Sequence, residues 1–144
     1  MKRKTLMTLT ALAVANLLVA VPAMSASMNN LPAEKTQGAV TYLTGGVGAN
    51  ESAAIKRAES EFPLSLEFVQ AARPKAEYLA DVHVTIKDQT GKVVLQTVSD
   101  GPFLLAKLPD GKYTVSAENN DQTKTQHIVL AANKPEHVVF EWRK

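Results

Sequence analysis

The stretch from Asp81 to Asn119, DVHVTIKDQTGKVVLQTVSDGPFLLAKLPDGKYTVSAEN, decides the fold of this chain. Apolar and polar residues alternate in it, so that Val82, Val84 and Ile86 share one face of an extended chain. Turn signals rich in Gly, Pro and Asp, such as Pro109-Asp110-Gly111, interrupt the alternation about every ten residues. The stretch therefore predicts a chain of β-hairpins.

The same period continues on both sides of this stretch. We expect seven strands from Leu64 onward, and Ala39–Thr44 is a candidate for an eighth. The seven lie near Leu64–Phe68, Leu79–Lys87, Lys92–Val98, Phe103–Leu108, Lys112–Glu118, Thr125–Ala131 and His137–Trp142. Because each strand is short and apolar on one face, a second sheet is needed to cover that face. The sequence predicts a mainly β chain, with an antiparallel β-sandwich of seven to eight strands over residues 64–144.

The sequence pattern leaves two alternatives for the inward face of the strand at Lys92–Val98. Val93 with Leu95 and Val94 with Val98 are both suitable inward sets.

Residues 39–63 predict a strand, a glycine turn and one short helix. The glycines of the segment Gly45–Gly48 end the strand, and Asn50 is a good residue for a helix N-cap. Apolar residues then recur at helical spacing until Pro63 closes the segment. We expect the helix at about Glu51–Glu61.

Residues 1–26 have the three parts of a secretory signal peptide: a basic start, an apolar stretch from Leu9 to Val21, and small residues at the end. The apolar stretch is shorter than the ~20 residues of a spanning helix. We therefore expect export to the periplasm, removal of this segment and no membrane insertion of the mature chain. The polar residues 27–38 that follow predict a flexible lead-in.

Charge and cysteine content exclude several classes of protein. Lys2, Arg3 and Lys4 lie in the signal peptide, which leaves 13 of the 16 basic residues against 14 acidic residues. That balance argues against nucleic-acid binding, which depends on a basic surface that releases counterions. The chain has no cysteine, so it has no disulfide, no thiolate metal ligand and no cysteine nucleophile.

Three segments carry a resemblance to a known family: the hairpin DVHVTIKDQTGKVV, the run SDGPFLLAKLPDGKYTVSA and the closing VVFEW. Through them, Ala80 to Trp142 resembles the carboxypeptidase regulatory-like domains. The resemblance implies a prealbumin-like or immunoglobulin-like sandwich that serves as an accessory module on many proteins. The peptidase to which the family name refers is not part of this chain.

The glycine-rich turn is the best candidate for a ligand or partner contact. Consecutive backbone N–H groups before a helix N-terminus form an anion site, which here would involve Gly45, Gly46 and Gly48. Glu51 follows in the first helical turn, where its carboxylate would repel a phosphate. The simpler interpretation is a structural turn in which Glu51 satisfies the helix N-terminus from within.

Catalytic and metal chemistry find little support in the pattern. His83, His127 and His137 lie on expected strands and are the candidates for a metal-dependent or hydrolytic enzyme, but none forms a ligand-spaced pair. We therefore expect no catalytic residues, no metal and no cofactor. The sequence predicts a periplasmic, non-enzymatic binding module whose partner is another envelope protein or a glycan. A structural subunit of an envelope assembly is the alternative.

The signal-peptide interpretation predicts that the exported protein begins between Met24 and Met28. Intact-mass measurement on the purified exported protein checks this expectation. A mass that still includes residues 1–22, or recovery in the membrane pellet alone, would contradict it.

Overall fold

Two β-sheets packed face to face, with one helix on the outside of the larger sheet, make up the part of the chain that the structure describes. The structure is a computed structural model and describes residues 30–144. The signal peptide expected at 1–26 and the first residues of the expected lead-in lie outside the described residues. The prediction of a mainly β sandwich with one short N-terminal helix is confirmed.

Ten strands and one α-helix follow one another along the described residues. In chain order they are β1 Lys35–Gln37, β2 Val40–Gly45, α1 Ala49–Ala58, β3 Leu64–Gln70, β4 Glu77–Tyr78, β5 His83–Asp88, β6 Val93–Val98, β7 Phe103–Lys107, β8 Gly111–Asn119, β9 Gln122–Leu130 and β10 Glu136–Trp142. A 3₁₀ turn at Glu59–Glu61 extends α1.

The larger sheet has the strand order β1-β2-β7-β3-β10, with β4 paired to the end of β3, and the smaller sheet has the order β6-β5-β8-β9. Neighbouring strands are antiparallel except β3 and β10, which run parallel from the pair Leu64 and Glu136 to the pair Gln70 and Trp142. The sequence pattern predicted antiparallel strands throughout. A parallel pair needs no hairpin turn, so no local signal marks it.

The main core lies between the two sheets and follows the two-residue period. Val84, Ile86 and Val115 are fully buried, while their neighbours along the strands are turned to solvent. At the edge near β10 the core is aromatic, since the rings of Phe68 and Phe140 stack with centroids 6.0 Å apart. Burial of these alternating side chains is the main contribution to stability.

A second, smaller core lies on the outer face of the larger sheet, under α1. Ile55 and Phe62 from the helical segment pack there against Leu43, Phe103 and Leu105 of the sheet. The strand β7 is therefore buried on both faces, with alternate residues in the two cores. Among residues 30–144, no helix is both long and apolar enough to cross a membrane.

Polar contacts close one side of the sandwich, where the edge strands β1 and β6 meet. The side-chain amide of Gln37 donates to the carbonyl of Gln96 at 3.0 Å and accepts from its N–H at 2.6 Å. Asp100, which follows β6, accepts from the Thr44 hydroxyl at 2.8 Å and from the Lys35 ammonium at 3.0 Å. These two donors hold the pKa of the Asp100 carboxyl below its usual value. We call this set of contacts the edge seam.

The start of the helix and the lead-in before β2 differ from the expectation. The helix begins at Ala49 with Gly48 as N-cap, so Asn50 lies inside it and the predicted Asn50 cap is wrong. A backbone with φ of 92° at Gly48 ends the loop earlier than the side-chain pattern indicates. Residues 35–37, expected in a flexible lead-in, form β1 because they pair with β2.

The strands near residues 79–98 also differ from the expectation. A pairing irregularity at Ile86 and Lys87 shifts the register between β5 and β6. Leu95 is fully buried, whereas Val93 and Val98 are 43% and 41% exposed. One residue of each candidate set, Leu95 and Val94, therefore faces the core, and the other residue of each set is exposed. The irregularity interrupts the two-residue period between them.

The assignment of faces in β8 predicts opposite effects for two neighbouring substitutions. Val115→Asp places a carboxylate without a partner between the sheets, which costs several kcal/mol, on the order of the whole stability of a small domain. Thr114 lies on the outer face, where its hydroxyl is 3.1 Å from Nδ1 of His127, so Thr114→Asp costs no more than about 0.5 kcal/mol. Thermal melting followed by circular dichroism compares the two variants. Equal melting temperatures would contradict the assignment.

Candidate functional site

The glycine turn joins the end of β2 to α1 and brings Gly46 and Glu51 together. The backbone φ angles of Gly45, Gly46 and Gly48 are 155°, 101° and 92°. The N–H of Gly46 donates to Oε1 of Glu51 at 2.7 Å. The carboxylate therefore occupies the backbone donor that an anionic ligand would need. The sequence pattern predicts that this carboxylate bonds to the first N–H groups of the helix. In the structure it bonds to the turn instead.

Packing explains why glycine is needed at the centre of this turn. A Cβ atom at Gly46 would run into the ring of Phe103, and one at Gly45 would collide with the Glu51 carboxylate and with Pro32. Around Gly48, in contrast, no heavy atom lies within 4 Å of the Cβ position. The turn thus lies directly on Phe103, and its shape depends on that contact.

Phe103 connects the turn to a group of exposed side chains. The ring of Tyr78 lies 5.5 Å from the ring of Phe103, and Nζ of Lys56 lies 5.7 Å from each of the two ring centres. Nζ also donates to the Tyr78 hydroxyl at 3.1 Å, and this hydrogen bond raises the pKa of Lys56. Val47, at the tip of the turn, is 68% exposed, and Tyr78 is 51% exposed. We call Val47, Lys56 and Tyr78, with Phe103 beneath, the loop-tyrosine surface.

A polar cluster lies on the same outer face of the larger sheet. Nδ1 of His137 is 2.8 Å from the hydroxyl of Ser65, its register partner on the parallel strand. Nε2 of His137 is 3.3 Å from Glu67, and Nδ1 is 3.8 Å from Glu59 in the 3₁₀ turn. The cluster links β10 to β3 and to the end of the helical segment.

Ser65, His137 and Glu67 have the residue types of a nucleophilic triad, but not its setting. Ser65 is buried and is the second residue of β3, where it pairs with β10 on one side and with β7 on the other. Its flanking backbone belongs to the sheet, so no pair of free N–H groups is available there to bind an oxyanion. The arrangement stabilises the contact between strands and helical segment.

The three histidines considered from sequence do not meet. His83 and His127 lie on the outer face of the smaller sheet, on strands that β8 separates. His137 lies on the outer face of the larger sheet, on the opposite side of the sandwich. Within residues 30–144, no group of three His, Asp or Glu side chains is spaced to hold a metal ion.

Tyr78, Lys56 and the contacts of His137 were not predicted from the sequence. Tyr78 stands in a polar segment without periodicity, and Lys56 is one of several charged residues on the helix, a pattern that indicates no more than a solvated face. The contact between His137 and Ser65 depends on the register of a parallel pair 72 residues apart in the chain. Tyr78 and Lys56 are likewise 22 residues apart, so no local pattern marks their contact.

The packing of the turn predicts that Gly46→Ala destabilises the protein more than Gly48→Ala. Both changes place a side chain on a backbone with positive φ, which costs about 1 kcal/mol or more. Only Gly46→Ala also displaces the Phe103 ring. Chemical denaturation of the two variants beside the wild type measures the difference. Equal losses would contradict the packing of the turn on Phe103.

Comparison with solved structures finds a likeness to the minor pilin GBS52 of the Gram-positive pathogen Streptococcus agalactiae. The two are 17% identical with a TM-score of 0.45, and the match covers 56% of this chain and 43% of the pilin chain. This chain therefore matches less than half of the length of that pilin. A search of the curated proteins finds no match.

A family model gives the more extensive match. The model of the Rhizobiales growth-associated tandem repeat domain matches residues 64–140, which run from the first residue of β3 into β10 and make up slightly more than half of the chain. The matched region holds the whole smaller sheet, three complete strands of the larger one and the first five residues of β10. The chain therefore belongs to the Rhizobiales growth-associated tandem repeat domain family.

Proposed function

We propose that this protein is an exported, non-enzymatic binding module that contacts another protein of the cell envelope through the loop-tyrosine surface. Export is supported by the signal-peptide pattern of residues 1–26. The resemblance to carboxypeptidase regulatory-like domains supports the role of an accessory module. A non-enzymatic role is supported by the burial of Ser65 within the sheet.

The exposure of Val47 and Tyr78 carries this proposal, since Tyr78 packs on the Phe103 ring and Val47 follows Gly46, which lies against that ring. The exposed valine at the loop tip adds little to the stability of the sandwich, and the tyrosine leaves half of its surface in contact with solvent. Interfaces between proteins, in contrast, are enriched in aromatic residues, and tyrosine is common among the residues that dominate binding energy. Nζ of Lys56 lies over both rings and supplies a charged group next to this apolar centre.

The glycine turn gives this surface a fixed shape. Glu51 holds Gly46 through its N–H, and Gly46 lies against Phe103. Val47 therefore follows directly on a residue that is held by two contacts. Binding through a surface that is already ordered avoids the entropy cost of fixing a loop.

A glycan is the second candidate partner, and the outer face of the smaller sheet is the place that fits it. Hydroxyl, imidazole and carboxylate groups face each other there across β8 and β9. Ser116 and Thr125 are 3.2 Å apart, and Thr123 donates to Glu118 at 3.3 Å. Such a face offers hydrogen bonds to a hydroxylated polymer but little apolar area to a protein.

Pull-down from envelope extract with four forms of the protein tests the proposal. Tyr78→Ala and Val47→Ser each reduce capture of the partner protein about tenfold or more. Val129→Ser is the matched control, since Val129 is 57% exposed but lies on the smaller sheet, and we expect it to capture the partner like the wild type.

The outcomes separate the candidate partners. Capture that survives protease digestion of the extract and falls with Val129→Ser would favour the glycan. Equal capture by all four forms, with their melting temperatures unchanged, would refute a role for the loop-tyrosine surface.

A further inference from the structure

The segment before β2 forms a strap along the edge of the larger sheet. It begins with Leu31, which packs against the second core, and ends in β1, which pairs with β2. Leu31 and Pro32 are partly buried, and Glu34 forms an ion pair with Lys107 of β7 at 3.3 Å. We call residues 31–37 the N-terminal strap.

The strap contacts the glycine turn directly at Gly45. Cγ of Pro32 lies 2.7 Å from the position that a Cβ atom on Gly45 would take. A Cβ atom on Gly101 would collide with the carbonyl group of Gly45, so the backbone of Gly101 lies against the same residue. Together with the Glu51 carboxylate, these two neighbours leave Gly45 little room to move.

A second contact reaches the turn through Asp100. Its Oδ2 accepts from Nζ of Lys35 in the strap at 3.0 Å and from the hydroxyl of Thr44 at 2.8 Å. The N–H of Asp100 donates to the same hydroxyl at 3.2 Å. Thr44 comes directly before Gly45, and Asp100 comes directly before Gly101. Lys35 thus supports the contact between the two backbone segments that meet at Gly45.

The position of Gly45 in turn affects the loop-tyrosine surface. Gly45 leads into Gly46, which lies against the Phe103 ring, and then into the exposed Val47. A shift of Gly45 is passed on to both residues, since Gly46 has no room to yield beside that ring. The strap therefore helps to fix the turn from which Val47 projects.

We propose that the N-terminal strap positions the loop-tyrosine surface. The surface takes its binding shape when the strap is docked on Gly45 and Asp100, and it loses that shape when the strap is released. This inference rests on the proposed function, because it assigns a positioning element to the same surface.

Release of the strap is a local event. Its strand β1 has three residues, all exposed, and within the described residues it pairs with β2 alone. The side chains of Lys35 and Asp100 are 51% and 63% exposed, so solvent screens their ion pair and the pair contributes little to stability. No residue of the strap belongs to the core between the sheets. The strap can therefore open while the sandwich stays folded.

Hydrogen exchange measured by NMR tests the positioning of the turn without any partner. The N–H of Gly46 is bonded to Glu51, and its exchange becomes about tenfold faster in the double variant Pro32→Ala with Lys35→Ala, because the released turn opens more often. The N–H of Val115 lies in a strand that is paired on both sides, so it exchanges through global unfolding. We expect its rate to change much less than the rate of Gly46.

Two single variants separate positioning from a general loss of contacts. Glu34→Ala removes an ion pair from the same strap, but this pair joins β7 and not the turn, so Gly46 exchanges as in the wild type. Lys35→Arg keeps a positive charge beside Asp100 and also preserves the wild-type rate.

Pull-down from envelope extract then connects the strap to binding. We expect the double variant to capture about tenfold less of the partner protein, as Tyr78→Ala does. Glu34→Ala and Lys35→Arg capture the partner like the wild type.

Two results would overturn the proposal. One is a double variant whose Gly46 amide exchanges at the wild-type rate. The other is faster exchange at Gly46 together with wild-type capture, while Tyr78→Ala still loses the partner. A failure of the proposed function itself has a different signature, since Tyr78→Ala then captures the partner like the wild type, and the role of the strap in binding falls with it.

Discussion

Burial of β7 on both faces is the constraint on which the rest of the structure depends. Leu104 and Ala106 point into the core between the sheets, while Phe103 and Leu105 point outward and need a separate cover. The helix α1 supplies that cover, so the segment between β2 and β3 has to cross the outer face of the larger sheet. The glycine turn, the helix and the 3₁₀ turn all follow from this requirement.

The two sheets consequently differ in what they present to solvent. The helix covers part of the outer face of the larger sheet, and the loop-tyrosine surface and the His137 cluster lie beside it. The smaller sheet keeps its whole outer face, and that face is polar because no element covers it. Apolar and polar contact surfaces thus lie on opposite sides of one small sandwich.

The sequence was a good guide wherever a single local period decided the structure. The alternation of Val82, Val84 and Ile86 predicted which residues of β5, and of the position just before it, are buried. The predicted bounds of the helix differ from the observed ones by a few residues. Prediction failed where contacts between distant segments decided the outcome. The pairing irregularity beside Ile86 and the strand β1 have no local signature.

The candidate site shows the same division. Gly46 and Glu51 were singled out because glycines and a following acid form a local pattern, and the two are in contact. Phe103, the residue that explains why glycine is needed, lies more than 50 residues further along the chain. The aromatic contact and the His137 cluster each join residues that are far apart in the chain, so no local sequence pattern predicts them.

The parallel pairing of β3 and β10 has a mechanical consequence. These strands begin and end the region that matches the family, and they lie side by side along seven paired residues. Tension applied through the two ends of that region pulls the strands past each other along their length. All the hydrogen bonds of the pair then carry the load together, whereas a hairpin pulled apart from its open end loses them one after another. A domain whose first and last strands pair in this way resists stretching between its two ends.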